Sequence, residues 1–455
     1  MRIRNAMLIS GQRFQQPQAR PGGSRRWLLR GIVLNLGFLA GLLFCSSCFA
    51  ACSGSSPNFT AASASQSDIQ ACISLLSSNT PSTILVPAGT VSFGTAVNIP
   101  STACVTINGQ GAVTITSGTG FVINMGTSCE SRVTGFTFTG GSSGPPSTAT
   151  NIVVNANTQC GRVDHNTFTA TGTQVFIVVY APSVPFLIDH NTLSSGYSSG
   201  SASEDIHVYG YNAGVETGWT NNVTPGGPNM VFIEDNTVND NQGNGGNVIS
   251  FVESYFGSQT VVRYNTLNYS AQIDQHGTAG EVGARWWEIY DNQFNSNNYN
   301  QCCFITVRGG TGVIFDNHTD GSSTSGTSVF INLYDENGSS SSWPDEWQIG
   351  SGINGDTNSH NSCASGALNT APAYVWGNDA FLTVGALGGA SGTVVLGRDY
   401  FTSTNQPASM NWWEQSADSC STTQAYTPYT YPHPLQGTQG TTVAAPSGLA
   451  AVVQQ

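Results

Sequence analysis

Asp164-His165-Asn166-Thr167-Phe168 returns as Asp189-His190-Asn191-Thr192-Leu193, Glu234-Asp235-Asn236-Thr237-Val238 and Arg263-Tyr264-Asn265-Thr266-Leu267. Weaker copies follow at Tyr290-Asp291-Asn292-Gln293-Phe294 and Phe315-Asp316-Asn317-His318. The Asn-to-Asn steps are 25, 45, 29, 27 and 25 residues. The step of 45 reads as two turns with a degenerate copy between them. A repeat of this length marks a solenoid. Three residues before each Asn the chain has Ile188, Ile233, Val262, Ile289 and Ile314. Two residues after it stand Phe168, Leu193, Val238, Leu267 and Phe294. These positions predict one continuous apolar core. The Asn predicts a bend between strands, because its side chain tolerates left-handed geometry and bonds locally. Stacked at about 4.8 Å per turn, each Asn can also bond the next. The runs are too short, too β-branched and too rich in Gly, Ser and Thr for helical repeats. A regular Leu pattern is missing too.

The expected fold is therefore all-β, a right-handed parallel β-helix solenoid with a short N-terminal capping helix. Asp68-Ile69-Gln70-Ala71-Cys72-Ile73-Ser74-Leu75-Leu76 supplies that helix. Val86-Pro87-Ala88-Gly89-Thr90, Ile99-Pro100 and Ile107-Asn108-Gly109-Gln110-Gly111 follow it in order. That order resembles the cap and first turns of the pectate-lyase-like superfamily of right-handed parallel β-helices. The likeness covers roughly residues 66–400. Gly397-Arg398-Asp399-Tyr400-Phe401, and then Tyr426-Thr427-Pro428-Tyr429-Thr430-Tyr431-Pro432-His433-Pro434-Leu435, resemble the closing segment of its exported bacterial branch, expected to seal the open end of the core. The resemblance implies carbohydrate chemistry but not one reaction, because the superfamily includes lyases, hydrolases, epimerases and tailspikes.

The organisation expected is an export signal over 1–51, an N-terminal cap over 52–83, the β-helix with its closing segment over 84–435 and a disordered tail over 436–455. The leader carries seven of the 13 basic residues, all of them Arg, then an apolar run from Ile32 to Phe44. Ser24-Arg25-Arg26-Trp27-Leu28-Leu29-Arg30 fits either a twin-arginine signal or an ordinary basic segment. The apolar run is too short and too interrupted for a stable span, so no integral membrane span is expected in the mature chain. A secreted, periplasmic or cell-surface location follows. Beyond the leader stand six Arg against all 26 acids, which argues against nucleic-acid binding. Phe49-Ala50-Ala51-Cys52 loosely resembles a lipoprotein box and makes Cys52 a candidate lipid anchor. With 11 Cys, disulfides are expected without a deducible connectivity; Cys104 and Cys129, one turn apart, are one candidate pair.

Aligning strand ends puts Tyr180, Tyr209, Glu253, His276, Arg308 and Tyr334 in one column. The catalytic candidates are His276, Arg308, Arg285 and Glu253, expected to share one groove. An Arg fork pairs with a uronic-acid carboxylate and acidifies the neighbouring C–H; a His can take that proton. Tyr209, Trp286 and Tyr334 are the substrate-binding candidates. Asp274 and Asp335 are candidate Ca²⁺ ligands. The expected partner is an acidic, uronic-acid-containing polysaccharide, cleaved by β-elimination. A glycoside hydrolase using two of Glu253, Asp274, Asp335 and Glu336 is the alternative, and so is a non-catalytic glycan-binding or adhesion protein. His165, His190, Arg132 and Arg162 read as structural.

Overall fold

The computed structural model describes residues 51–125, 130–140, 150–155, 160–170, 175–180, 185–195, 203–210, 223–240, 249–269, 271–276, 283–295, 303–321, 329–334, 349–351, 370–385, 394–413 and 421–437. They belong to one compact unit, Ala50–Gln455. The expected export signal and terminal tail fall outside them, apart from Ala51, Gln436 and Gly437.

The chain is a right-handed parallel β-helix. Its longest parallel ladder starts at Asn58–Ala61, Pro81–Leu85 and Cys104–Ile115 and continues through Ser131–Phe138, Gly161–Asp164 and Phe186–Asp189. It goes on through Val231–Glu234, Gln259–Arg263, Trp286–Tyr290, Thr311–Phe315 and Ala373–Trp376 to Tyr400–Ser403. A second sheet of ten strands runs from Val97–Ile99 to Val384–Gly385. A third ladder follows each Asn, through Thr167–Ala170, Thr192–Ser195, Thr237–Asp240, Thr266–Tyr269 and Gln293–Asn295. All ten apolar positions flanking the Asn lie inside the core.

Asn166, Asn191, Asn236, Asn265, Asn292 and Asn317 form one unbroken ladder. Each side-chain amide donates to the Oδ1 of the next at 3.0–3.1 Å. The backbone N–H of each donates to that same oxygen. The expected division of labour needs one correction. The left-handed residue is the one before the Asn: His165, His190, Asp235, Tyr264, Asp291 and Asp316 have φ between 49° and 57°. The Asn itself does the bonding. His165 and His190 are thus turn residues, as expected. Two further corrections concern spacing. Asn191 bonds Asn236 directly, and Phe186–Asp189 pairs with Val231–Glu234, so the 45-residue step is a single enlarged turn. The ladder also continues 61 residues on, where Asn317 donates to Asn378 at 2.9 Å. There Gly377, at φ 65°, takes the left-handed place.

At the N-terminus, the capping helix spans Gln66–Ile73 and buries Ile69, Cys72 and Ile73. Ser65 caps it by accepting from Asp68 N. A Cys52–Cys72 disulfide ties it to an antiparallel hairpin of Cys52–Ser55 and Asn58–Ala61. The Cys52 sulfur is thereby consumed, so the lipid anchor expected there is withdrawn. Cys104 and Cys303 are also disulfide-bonded; Cys129, the candidate partner of Cys104, lies outside the described residues.

Of the expected closing segment, Tyr400 and Phe401 lie in the last strand of the longest ladder, whereas the later part does not seal the end of the coil. Tyr426–Gln436 runs back along the outer face of the longest ladder. Tyr426 Oη donates to Glu288 at 2.6 Å, and Arg263 donates to the carbonyls of Tyr429 and Thr430 at 2.7 and 2.9 Å. His433 N donates to Glu234 at 2.9 Å, and Arg162 reaches the Leu435 carbonyl at 3.2 Å. Under this strap lie Leu187, Phe232, Val261, Trp286, Val313 and Trp376. The strands are therefore apolar on both faces. Gly226 touches the strap so closely that a Cβ there would meet Thr427 O at 1.8 Å.

Inside the coil, Asp205 and Asp240 are fully buried beside each other. Ser195 donates to Asp240 Oδ1 through its N–H and hydroxyl at 3.0 and 2.8 Å. Burial, then the neighbouring Asp240 charge, pushes Asp205 well up; burial pushes Asp240 up to about 6. The folded chain holds these protons more tightly than the unfolded chain does. Their contribution is therefore greatest at or below the ordinary carboxylate value of 3.8 and falls as pH rises through about 6. Asp205→Asn should flatten that decline, read as the urea midpoint from about pH 4 to about pH 8.

Candidate active site

Outward residues of the second sheet build the site. In register, Val178, His207, Glu253, Asp274 and Thr306 form one column. Tyr180, Tyr209 and Tyr255 form the next. Main-chain bonds carry that second column onward: His276 N donates to Ser254 O, Arg308 N to Gln275 O and Tyr334 N to Val307 O. The strand-end alignment had placed Glu253 in the Tyr209 column. The true register moves it by two residues, which on a strand keeps it on the same face.

Glu253, His276 and Arg308 converge, as expected. Arg308 Nη2 donates to Glu253 Oε1 at 3.1 Å, and His276 Nε2 lies 3.7 Å from the same oxygen. Arg308 also grips Asp274 with two bonds, Nε to Oδ1 at 3.0 Å and Nη2 to Oδ2 at 2.6 Å. Tyr255 Oη donates to Glu253 Oε1 at 2.8 Å, and its ring stacks on His276 at 4.2 Å. Burial, followed by the charges of Asp274 and Glu204, pushes Glu253 well above the usual carboxylate range. Burial and Glu253 push the Tyr255 phenol up as well.

Two expected members are absent from this cluster. Arg285 is fully buried at the head of strand Trp286–Tyr290, on the core side that Trp287 and Ile289 share. Burial lowers it to about 9. Strand alternation decides this: Arg285 belongs to the longest ladder, whereas Arg308 belongs to the outer face of the second sheet. Trp286 is equally unavailable to substrate. It is fully buried beneath the strap and donates to Glu288 Oε1 at 2.9 Å.

The other candidates sort as follows. Tyr209 lies on the site face, stacked between Tyr180 at 5.2 Å and Tyr255 at 5.5 Å. Tyr334 is half-buried one turn beyond Arg308. Both Asp274 oxygens accept from Arg308. Asp335 and Glu336 lie outside the described residues. Among the described residues no group of three His, Cys, Asp or Glu is placed to hold a metal.

Sequence reasoning missed Glu204, His207 and Tyr255. His207 Nδ1 stands 3.0 Å from Tyr209 Oη, and Glu204 bonds His207 Nε2. A signal existed: His207-Val208-Tyr209 and Glu253-Ser254-Tyr255 share an alternation of titratable group and Tyr.

Fold and site together define a parallel β-helix protein with an arginine-bridged carboxylate pair on its second sheet. No protein-family model, curated protein or solved structure matches the chain.

Proposed function

We propose that this chain is an exported enzyme that hydrolyses a glycosidic bond on the outer face of its second sheet. The carrying observation is the unequal environment of two adjacent carboxyls. Glu253 is buried beside Asp274, which favours its protonated form; Asp274 is the bidentate partner of Arg308. Paired carboxyls with such different surroundings divide into an acid and a charged partner. Glu253 protonates the leaving oxygen. Asp274 faces the positive charge that develops at the anomeric carbon. Tyr180, Tyr209 and Tyr255 stand in the neighbouring column of the same face.

This geometry favours hydrolysis over β-elimination. The elimination scheme needs an Arg to hold the substrate carboxylate. Arg308 is already committed to two acids, and Arg285 is buried in the core. With Glu253 and Asp274 on one Arg and Glu204 near Glu253, the face suits a neutral glycan better than a uronic polymer. The exported setting rests on the leader and agrees with the Cys52–Cys72 disulfide. No described helix is long and apolar enough to cross a membrane.

The test is a panel of neutral and uronic-acid polysaccharides, followed for new reducing ends and for absorbance of an unsaturated uronate. New reducing ends without that absorbance are expected. Absorbance would restore the lyase, and binding without cleavage would leave a glycan-binding protein. Glu253→Gln keeps the shape and removes the acid, so kcat should fall by about 10²–10⁴-fold with the fold intact.

A further inference from the structure

Glu253 and Asp274 stand too close together for an attacking water to sit between them. Both accept from the same Arg308 Nη2, at 3.1 and 2.6 Å. Their oxygens are thus closer together than the roughly 6.5–9.5 Å that leaves room for a water between an acid and a base. A water that attacks from beside the pair can pass its proton to another group.

One turn away, on the same face, three side chains stand in the order hydroxyl, imidazole and carboxyl. Glu204 bonds His207 Nε2, and a carboxylate can only accept, so Nε2 carries the imidazole proton. In the neutral imidazole Nδ1 then holds the lone pair, and the Tyr209 hydroxyl stands 3.0 Å from it. The His207 ring is nearly buried, which fixes this orientation. Tyr209 stacks on Tyr255, whose hydroxyl reaches Glu253, so the phenol borders the acid site. A hydroxyl on a His whose far nitrogen is held by a carboxylate is the arrangement that activates weak oxygen nucleophiles and bases.

We propose that Tyr209 is a catalytic residue, a phenol activated by His207, with Glu204 and His207 as its positioning residues. Its place in the reaction rests on the hydrolytic reading. Water attacks the anomeric carbon as the bond to the leaving sugar oxygen breaks. The water proton passes to Tyr209 Oη while the Tyr209 proton passes to His207 Nδ1. Glu253 gives its proton to the leaving oxygen. Exchange with solvent then returns the proton from His207 to Glu253.

The activation itself is testable without a substrate. The intact protein is treated with N-acetylimidazole, and acetylation of each Tyr is followed by peptide mass spectrometry. Tyr180, Tyr209 and Tyr255 are all half-buried on one column. Tyr209 should react at least about tenfold faster than the other two, and Glu204→Gln or His207→Asn should bring it down to their rate. Equal rates in the native protein would overturn the proposal. So would a Tyr209 rate that Glu204→Gln leaves unchanged in a folded protein; that variant keeps the test decisive if His207→Asn does not fold. With a cleaved glycan in hand, Glu204→Gln should lower kcat and leave KM in place, and Tyr209→Phe should lower kcat by about 10²–10⁴-fold. Fast, relay-dependent acetylation with no glycan cleaved by the native chain would sink hydrolysis and leave the activated phenol standing.

Discussion

A chain ending at Ala425 is expected to lose at least about 5 kcal/mol of stability and to bind hydrophobic dyes. The strap is the outer half of a second core. Its removal uncovers Leu187, Phe232, Val261, Trp286, Val313 and Trp376, at about 1.5–3 kcal/mol for each large side chain re-exposed. It also strips partners from buried charges. Arg263 donates to Glu234 at 2.6 Å, to Tyr290 Oη at 2.7 Å and to two strap carbonyls. Glu234 accepts from His433 N and Gln436, and Glu288 accepts from Tyr426. In the full-length chain, Arg263→Met should cost about 3–5 kcal/mol, because Glu234 stays buried without its cation. In the truncated chain water can reach Glu234, so the same substitution should cost clearly less. The measurement is a double-mutant cycle in chemical denaturation. Additive costs would show that strap and charge act independently.

Asn265→Ala is expected to cost more stability than the same change at the end of the Asn ladder. Asn265 Oδ1 accepts from both the backbone N–H and the side chain of Asn236, at 3.0 Å each. Its Nδ2 donates to Ile233 O, Arg263 O and Asn292 Oδ1 at 2.8, 2.9 and 3.0 Å. The side chain is completely buried. Truncation leaves several of these groups without partners, at about 1–3 kcal/mol each, for a total of about 3–5 kcal/mol. Asn378→Ala, at the half-buried end of the same ladder, should cost less because water can replace the lost bonds. Urea midpoints for the two variants check both claims.

Much of the fold was legible in the residues themselves. Asn at a period near 25, Ile or Val three before and an apolar residue two after are local demands of a β-arc, and every such position behaves accordingly. Side-chain alternation put Glu253, His276 and Arg308 on one outer face even though the alignment of Glu253 was two residues out. What single residues could not reveal was the identity of long-range partners. Arg308 looked like a substrate clamp; only the stacking of turns shows that Asp274, 34 residues away in sequence, occupies it. Arg285 looked like its assistant; only the path of the strands shows that its side chain enters the core. Trp286 looked like a sugar platform until the strap, more than a hundred residues downstream, covered it. Composition and period fix what repeats locally, because each turn needs the same arc and the same inward residues. Which outward charge is neutralised, which aromatic is covered and which His is held by a carboxylate depend on contacts between distant segments, and those the tertiary structure alone decides.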